Sequence, residues 1–302
     1  MTDPWSLYWS ADHLQSCVPA DGPGAVDELD DLWRSFATEL VPGARVLDLA
    51  TGNGVVPLGL LRARGDLAVT GVDRAAIDPT RFLSAPGALA QVRFVGGVDL
   101  GALPTGLGHF DAVTSQFGVE YMGIEAAAAA VAAHLAPGGR FLLLVHRADS
   151  AVVAPRRADL AELDLLLAAD GPAGAAGEFA AGALDAAALE ALTHAFMGRD
   201  LRRTPRLTGQ VVQGVDRLLA CLEQGDPAGA RLLAEGLAIR VRAERARLRQ
   251  LADAALDEAG VAALGAALAQ AGLHCAEPRT LEARSGERTL DIGWVMEGSR
   301  DA

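Results

Sequence analysis

Residues 45–61, RVLDLATGNGVVPLGLL, constrain the fold of this chain more than any other stretch. A short apolar run, Val46, Leu47 and Leu49, is interrupted by Asp48 and runs into Gly52 and Gly54, and an apolar helical pattern starts directly afterwards. That order reads as buried strand, tight glycine turn and helix N-terminus, a place where a ligand can approach backbone with no side chain in the way. A second apolar run, AVTGVD, follows and ends in Asp73. An acid at the end of the second strand of such a unit is placed to accept hydrogen bonds from a ribose. The pattern predicts a nucleoside-containing cofactor on a doubly wound sheet.

The glycines discriminate between cofactors. A dinucleotide fingerprint asks for G-x-G-x-x-G, but Pro57 stands where the third glycine belongs. Asp48 lies close to the turn, where a carboxylate repels a pyrophosphate. The same carboxylate suits a cofactor with a sulfonium and an ammonium group, which favours S-adenosylmethionine.

With these motifs in order, the chain resembles the class I S-adenosylmethionine-dependent methyltransferases of Rossmann-like fold. VLDLATGNG resembles the first motif of that family, with Ala50 where many members have glycine. VTGVD resembles the second, FVGGVDL the adenine-contacting segment, HFDAVTSQFGVEYM the fourth-strand motif, and LAPGGRFLLLVH the turn and fifth strand. The resemblance implies a mostly parallel, seven-stranded sheet with an antiparallel C-terminal hairpin. It also implies S-adenosylmethionine as cofactor and S-adenosylhomocysteine as product. Asp48, Ala50, Thr51, Gly52, Asn53 and Gly54 would surround its methionine end, and Asp73 and Arg74 its ribose. Asp99 and Leu100 would hold the adenine, and Ser115, Gln116 and Phe117 would form the floor between cofactor and substrate.

Composition narrows the function classes. The formal charge of −13 argues against non-specific binding to nucleic acid. All the basic residues are arginine, which together with the abundance of Ala and Gly reflects a genome rich in G and C. No run of about 18 apolar residues predicts a membrane span. The opening MTDPWSLYWSADH lacks the basic start and apolar core of a signal peptide. Cys17, Cys221 and Cys275 are too scattered for a disulfide framework or a zinc site. A cytoplasmic protein without a metal is expected.

Four parts are expected along the chain. Residues 1–40 read as an N-terminal helical cap or lid holding Trp5, Trp9 and Trp33, with a helix over 25–40 whose apolar positions include Val26, Leu29, Leu32, Trp33, Phe36 and Leu40. Residues 41–150 form the cofactor-binding core, with strands at 45–50, 67–72, 91–95, 110–115 and 139–146 and helices at 55–64, 79–85 and 123–135. Residues 151–252 read as an all-helical insertion between strands five and six, covering the substrate, with helices at 156–169, 184–198, 207–223 and 228–256 and a flexible connection at GPAGAAGEFAAG. Residues 253–302 supply a helix at 259–271 and a hairpin around Ser285 and Gly286 that completes the core.

His146, at the end of the fifth strand, is the first candidate for a general base, and Tyr121 is a second catalytic candidate beside Glu120. Both also suit packing roles, as does His13 in the cap. Arg199, Arg202, Arg203 and Arg206 cluster at a helix end, and Arg242, Arg245 and Arg249 share one helix face. They read either as a solvated, ion-paired face or as a site for an anionic substrate. The favoured function is methyl transfer to a small-molecule acceptor by in-line displacement. The alternatives are a protein or RNA methyltransferase and a cofactor-binding protein without catalysis. Neither the acceptor nor the oligomeric state is readable from the sequence.

Overall fold

The computed structural model describes residues 3–17, 23–198 and 206–302. Residues 3–154 and 250–302 belong to one compact unit and residues 155–249 to a second.

The first unit is built on β1 (Arg45–Leu49), β2 (Ala68–Val72), β3 (Arg93–Val95), β4 (Phe110–Gln116), β5 (Leu135–Val145), β6 (Leu273–Cys275), β7 (Arg279–Ser285) and β8 (Arg288–Arg300). The strand order is β3-β2-β1-β4-β5-β8-β6, with β7 also paired to β8. The first five strands run parallel. β8 runs antiparallel to β5, and β6 and β7 share its far edge end to end. The described sheet therefore has eight strands instead of the expected seven. The extra one is β6, only three residues long and too short to show an alternation.

Both faces of the sheet are covered, which is why its strands read as continuous apolar runs. Alternation still sorts their residues. Val46, Val69, Leu142 and Leu144 face one core, with Leu29, Trp33 and Phe36 of α2 (Pro23–Thr38) and Leu60 of α3 (Val55–Ala63). Leu47, Leu49, Val113, Leu143 and Val145 face the other, with Val131 of α5 (Ile124–His134) and Leu264 of α11 (Glu258–Gln270). The order reverses between β1 and its two neighbours β2 and β4. A ligand crevice is expected there, at the carboxyl ends of the strands.

Local details depart from the sequence reading. The Pro137–Gly139 turn lies inside β5, opposite a register shift in β4, so the strand starts at Leu135. The helix expected over 79–85 is the single turn α4 (Pro79–Phe82). Ser285 pairs with Arg288, which moves the hairpin loop to Gly286 and Glu287. The short α1 (Pro4–Trp9) is capped by Asp3, whose Oδ2 accepts from the Ser6 amide at 2.7 Å.

The second unit is helical, with α6 (Arg156–Leu167), α7 (Pro172–Ala180), α8 (Ala186–Met197), α9 (Arg206–Glu223) and most of α10 (Pro227–Ala254) around a core of its own. The connection expected to be flexible is α7. Pro172 starts it, a position proline suits, and Ala173, Ala175, Ala176 and Phe179 are buried. Its glycines permit close approach: a Cβ at Gly174 would lie 2.1 Å from the Ala168 carbonyl oxygen. Of the arginine groups, Arg199, Arg202 and Arg203 and the side chain of Arg206 fall outside the described residues. Arg245 pairs with Asp164 of α6, while Arg242 and Arg249 are exposed.

Trp33 joins α2 to the sheet: it is 1% exposed, and its Nε1 donates to Gln116 Oε1 at 2.7 Å. Trp33→Ala is expected to destabilise the protein by about 3–5 kcal/mol in urea unfolding, through the cavity it leaves.

Candidate active site

A cavity of about 200 Å³ opens within the first unit at the carboxyl ends of β1, β2 and β4. Its wall combines acidic and polar residues, Asp48, Thr51, Asp73, Arg74 and Asp99, with the aromatic rings of Trp5, Trp9, Phe117 and Tyr121.

The wall at the glycine turn is organised by Asp73. Its Oδ2 accepts from the Gly52 amide at 2.8 Å and its Oδ1 from the Ala75 amide at 2.7 Å. Together with the bond from Thr51 N to Val72 O (3.0 Å), these contacts fix the glycine turn to the end of β2. Burial is the main influence on Asp73 and lifts its carboxyl to about 6, against the two amides that favour the anion. Arg74, next to it, is exposed and lies 3.7 Å from Asp3.

Asp48 is 1% exposed. Its Oδ1 accepts from Thr114 Oγ1 at 2.8 Å, while its Oδ2 is buried with no hydrogen bond. Burial raises this carboxyl to about 7, against the nearby hydroxyls of Thr51 and Thr114. A buried carboxylate oxygen without a donor suits a cationic or hydrogen-bond-donating ligand.

The turn itself is strained where it meets the cavity. Cys17, Ala50 and Phe117 are the non-glycine residues with positive φ among those described, at 63°, 55° and 55°. Ala50 and Phe117 both line the cavity. Strain of this kind persists where surrounding contacts over-determine the backbone, and it concentrates at functional sites. Gly52 and Gly54 have φ of 52° and 90°. A Cβ at Gly52 would lie 2.4 Å from the Trp9 ring, and Gly54 precedes the first turn of α3.

Several expected site residues serve the wall from behind. Asn53 is fully buried and does not line the cavity. Its Nδ2 donates to the carbonyls of Trp9 (3.0 Å) and His13 (2.7 Å), clamping the N-terminal segment onto the glycine turn. Ser115 is buried and donates to Leu49 O at 2.8 Å, tying β4 to β1. Asp99 and Leu100 do reach the cavity; Asp99 Oδ1 accepts from the Gly101 amide at 2.9 Å. Gln116 lines the cavity too, although its oxygen is engaged by Trp33.

His146 is placed differently from the general base that the sequence suggested. It is 0% exposed, does not line the cavity, and lies stacked on Phe117 with ring centroids 4.4 Å apart. Its Nδ1 lies 2.6 Å from Glu120 Oε1, which also accepts from the His146 amide at 3.0 Å. Burial works against a charged imidazole, but Cys17 and Glu120 outweigh it and raise His146 to about 9. Phe117, which lines the cavity, covers one face of the ring. Tyr121 does face the cavity, edge-on to Trp5 with centroids 5.6 Å apart. The Glu120–His146 contact left no trace in the sequence, because nothing in the spacing of residues 120 and 146 marks them as neighbours.

Residues 46–139 match the family model described as a methyltransferase domain. This segment is a methyltransferase domain. No curated protein matches the chain. Among solved structures, the S-adenosylmethionine-dependent methyltransferase of Thiobacillus denitrificans, crystallised with S-adenosylhomocysteine, is 26% identical over 48% of this chain and 56% of its own, with a TM-score of 0.37. The YcgJ protein of Bacillus subtilis is 26% identical over 44% of this chain and 57% of its own, with a TM-score of 0.33. CalS10, an amino pentose methyltransferase of Micromonospora echinaspora, is 28% identical over 39% of this chain and 48% of its own, with a TM-score of 0.27. The chain spans about half the length of these structures.

The methyltransferase domain's cavity suits S-adenosylmethionine on its own chemistry. The orphaned Asp48 oxygen matches an ammonium group, the acid at the end of β2 matches a ribose, and the buried Leu100 beside Asp99 matches an adenine. Among the described residues no group of three or more His, Cys, Asp or Glu side chains could hold a metal ion. No described helix is long and apolar enough to cross a membrane.

Asp48→Asn separates ligand binding from stability. Because the folded state holds the Asp48 proton more tightly than the unfolded chain, its contribution to stability is present below pH 4 and lost as pH rises through about 7. The variant is therefore expected to melt several degrees higher than the parent at pH 8 without ligand. It should bind S-adenosylhomocysteine about 1–3 kcal/mol more weakly by calorimetry. The parent's affinity should fall as pH drops below about 7, and the variant's profile should be flatter.

Proposed function

We propose that this protein is an S-adenosylmethionine-dependent methyltransferase acting on a small molecule bound against the aromatic residues of the cavity. The observation that carries this reading is that one cavity wall brings together Asp48, which keeps a buried unpaired oxygen, and the rings of Trp5, Trp9, Phe117 and Tyr121. The net charge of −13 supports a small acceptor over a nucleic acid.

When bound, S-adenosylmethionine supplies an electrophilic methyl group on a sulfonium. Asp48 would receive its ammonium group, Asp73 its ribose hydroxyls, and Asp99 with Leu100 its adenine. Trp5, Trp9, Phe117 and Tyr121 would hold the acceptor against the methyl group and keep water away. Positioning of this kind supplies most of what an in-line transfer needs, since the departing thioether is neutral. Among the described residues, the cavity lining includes no imidazole, and its carboxylates are the three given above to the cofactor. The acceptor suited to it is nucleophilic without help from a protein base, such as a free amine or an oxygen acid already ionised near neutral pH.

The test is transfer of labelled methyl from S-adenosylmethionine into the small-molecule and macromolecular fractions of a source-cell lysate, with Asp48→Ala as control. Label in the small-molecule fraction, absent with the variant, is expected. Label confined to protein or RNA would overturn the acceptor class, and cofactor binding with no label in either fraction would favour a binding protein. Asp73→Ala is expected to weaken cofactor binding by about 1–3 kcal/mol, since it removes acceptor oxygens and frees the glycine turn; unchanged affinity by calorimetry would remove Asp73 from the site.

A further inference from the structure

The loop that follows β4 carries part of the cavity wall, and a buried pair of side chains behind it fixes its course. Phe117, Gly118, Tyr121 and Met122 all line the cavity, whereas Glu120, in the single turn Val119–Met122, does not. Its Oε1 accepts from the His146 amide at 3.0 Å and faces Nδ1 of the ring at 2.6 Å. A carboxylate in that position keeps a ring proton on Nδ1, so one oxygen takes two N–H groups. Both side chains are fully shielded from solvent. His146 is anchored in turn by its carbonyl, which accepts from the Leu256 amide at 2.8 Å. Its ring stacks on Phe117 with centroids 4.4 Å apart and meets the Tyr121 ring edge-on at 5.9 Å. The pair therefore holds the loop through Glu120 and packs against both rings that the loop sends to the cavity.

The loop needs holding. Phe117 has a φ of 55°, with its amide donating to Leu144 O at 2.6 Å. Next to it, a Cβ on Gly118 would lie 2.3 Å from the Cβ of Ala50, the other cavity-lining residue with positive φ. Strained backbone of this kind persists only where surrounding contacts enforce it. Glu120 supplies such a contact at a cost to stability, because its Oε2 is buried with no hydrogen bond. An apolar pair of similar volume would avoid that cost. We propose that Glu120 and His146 are positioning residues, which together hold the loop so that Phe117 and Tyr121 present their rings to the acceptor. The proposal rests on the methyltransferase reading. Neither residue touches the reacting atoms; both act through the two rings, whose misplacement by about 1 Å is enough to cost about 100-fold in rate.

The chain has two tyrosines, Tyr8 and Tyr121. Protein labelled with fluorotyrosine therefore gives two fluorine resonances, which Tyr8→Phe assigns. Glu120→Ala is expected to move the Tyr121 resonance towards its position in urea. Glu120→Gln, whose amide oxygen accepts the same two N–H groups, should leave it at the parent's position. Methyl transfer into the small-molecule fraction of a source-cell lysate, at saturating S-adenosylmethionine, should fall about 30-fold or more in Glu120→Ala and stay within about threefold of the parent in Glu120→Gln. Calorimetric affinity for S-adenosylhomocysteine should change less than about threefold in either, since Asp48 and Asp73 are left in place. If Glu120→Ala does not fold, the double variant Glu120→Leu, His146→Leu, which buries no unpaired carboxylate or imidazole, replaces it. An unmoved Tyr121 resonance, transfer at the parent's rate in Glu120→Ala, or a failure of Glu120→Gln to keep either would overturn the proposal. So would cofactor affinity falling in step with transfer, the mark of a pair that serves the fold alone. A parent that binds cofactor and labels neither fraction of the lysate would count against the methyltransferase reading instead, and the Tyr121 resonance would still decide whether the pair holds the loop.

Discussion

The carboxylate of Asp73 holds the site together. It accepts from two backbone amides, Gly52 on the glycine turn and Ala75 beyond β2, and so converts two strand ends and a loop into one rigid rim. Its neighbours in the wall are referenced to that rim: the buried carboxyl of Asp48, the strained Ala50, and the approach of α3. The arrangement also explains why the turn tolerates a left-handed alanine, since hydrogen bonds on either side of it leave the backbone no alternative path.

Two buried acids a few residues apart in space carry a thermodynamic conflict. Burial raises both Asp48 and Asp73; the charge of Asp73 adds to the rise at Asp48, and that of Asp3 to the rise at Asp73. A protein selected for stability alone would place a neutral residue at position 48. Retaining a carboxylate there is consistent with a ligand whose positive charge settles the conflict once it binds.

The parallel strands were legible because each is a buried apolar run ended by a glycine or an acid, a signal confined to a few neighbouring residues. The place of Asp48, Thr51, Asp73, Asp99 and Leu100 on the cavity wall was legible for the same reason, since all sit near the carboxyl ends of strands or in the segments that follow them. What escaped reading depends on partners far along the chain. α7 looked like a linker because its glycines signal freedom in a sequence, whereas here they let helices approach closely. β6 is too short to have a pattern. Asn53 belongs to the first motif by position, yet its side chain serves residues 9 and 13, and His146 turns to Glu120 instead of the cavity. Periodicity encodes the face a residue occupies but not the distant side chain it will meet there.

The clamp that Asn53 places on the N-terminal segment bears on the order in which the protein assembles. The carbonyls it grips belong to residues 44 and 40 positions earlier in the chain, and they can be captured only after β1, β2 and the turn between β1 and α3 have taken shape. The segment is thus a late-docking, early-leaving piece of the fold, with a local opening free energy below that of the sheet. Slow exchange of the Asn53 side-chain amide protons would then report closure of the rim, while the sheet beneath it stays native throughout.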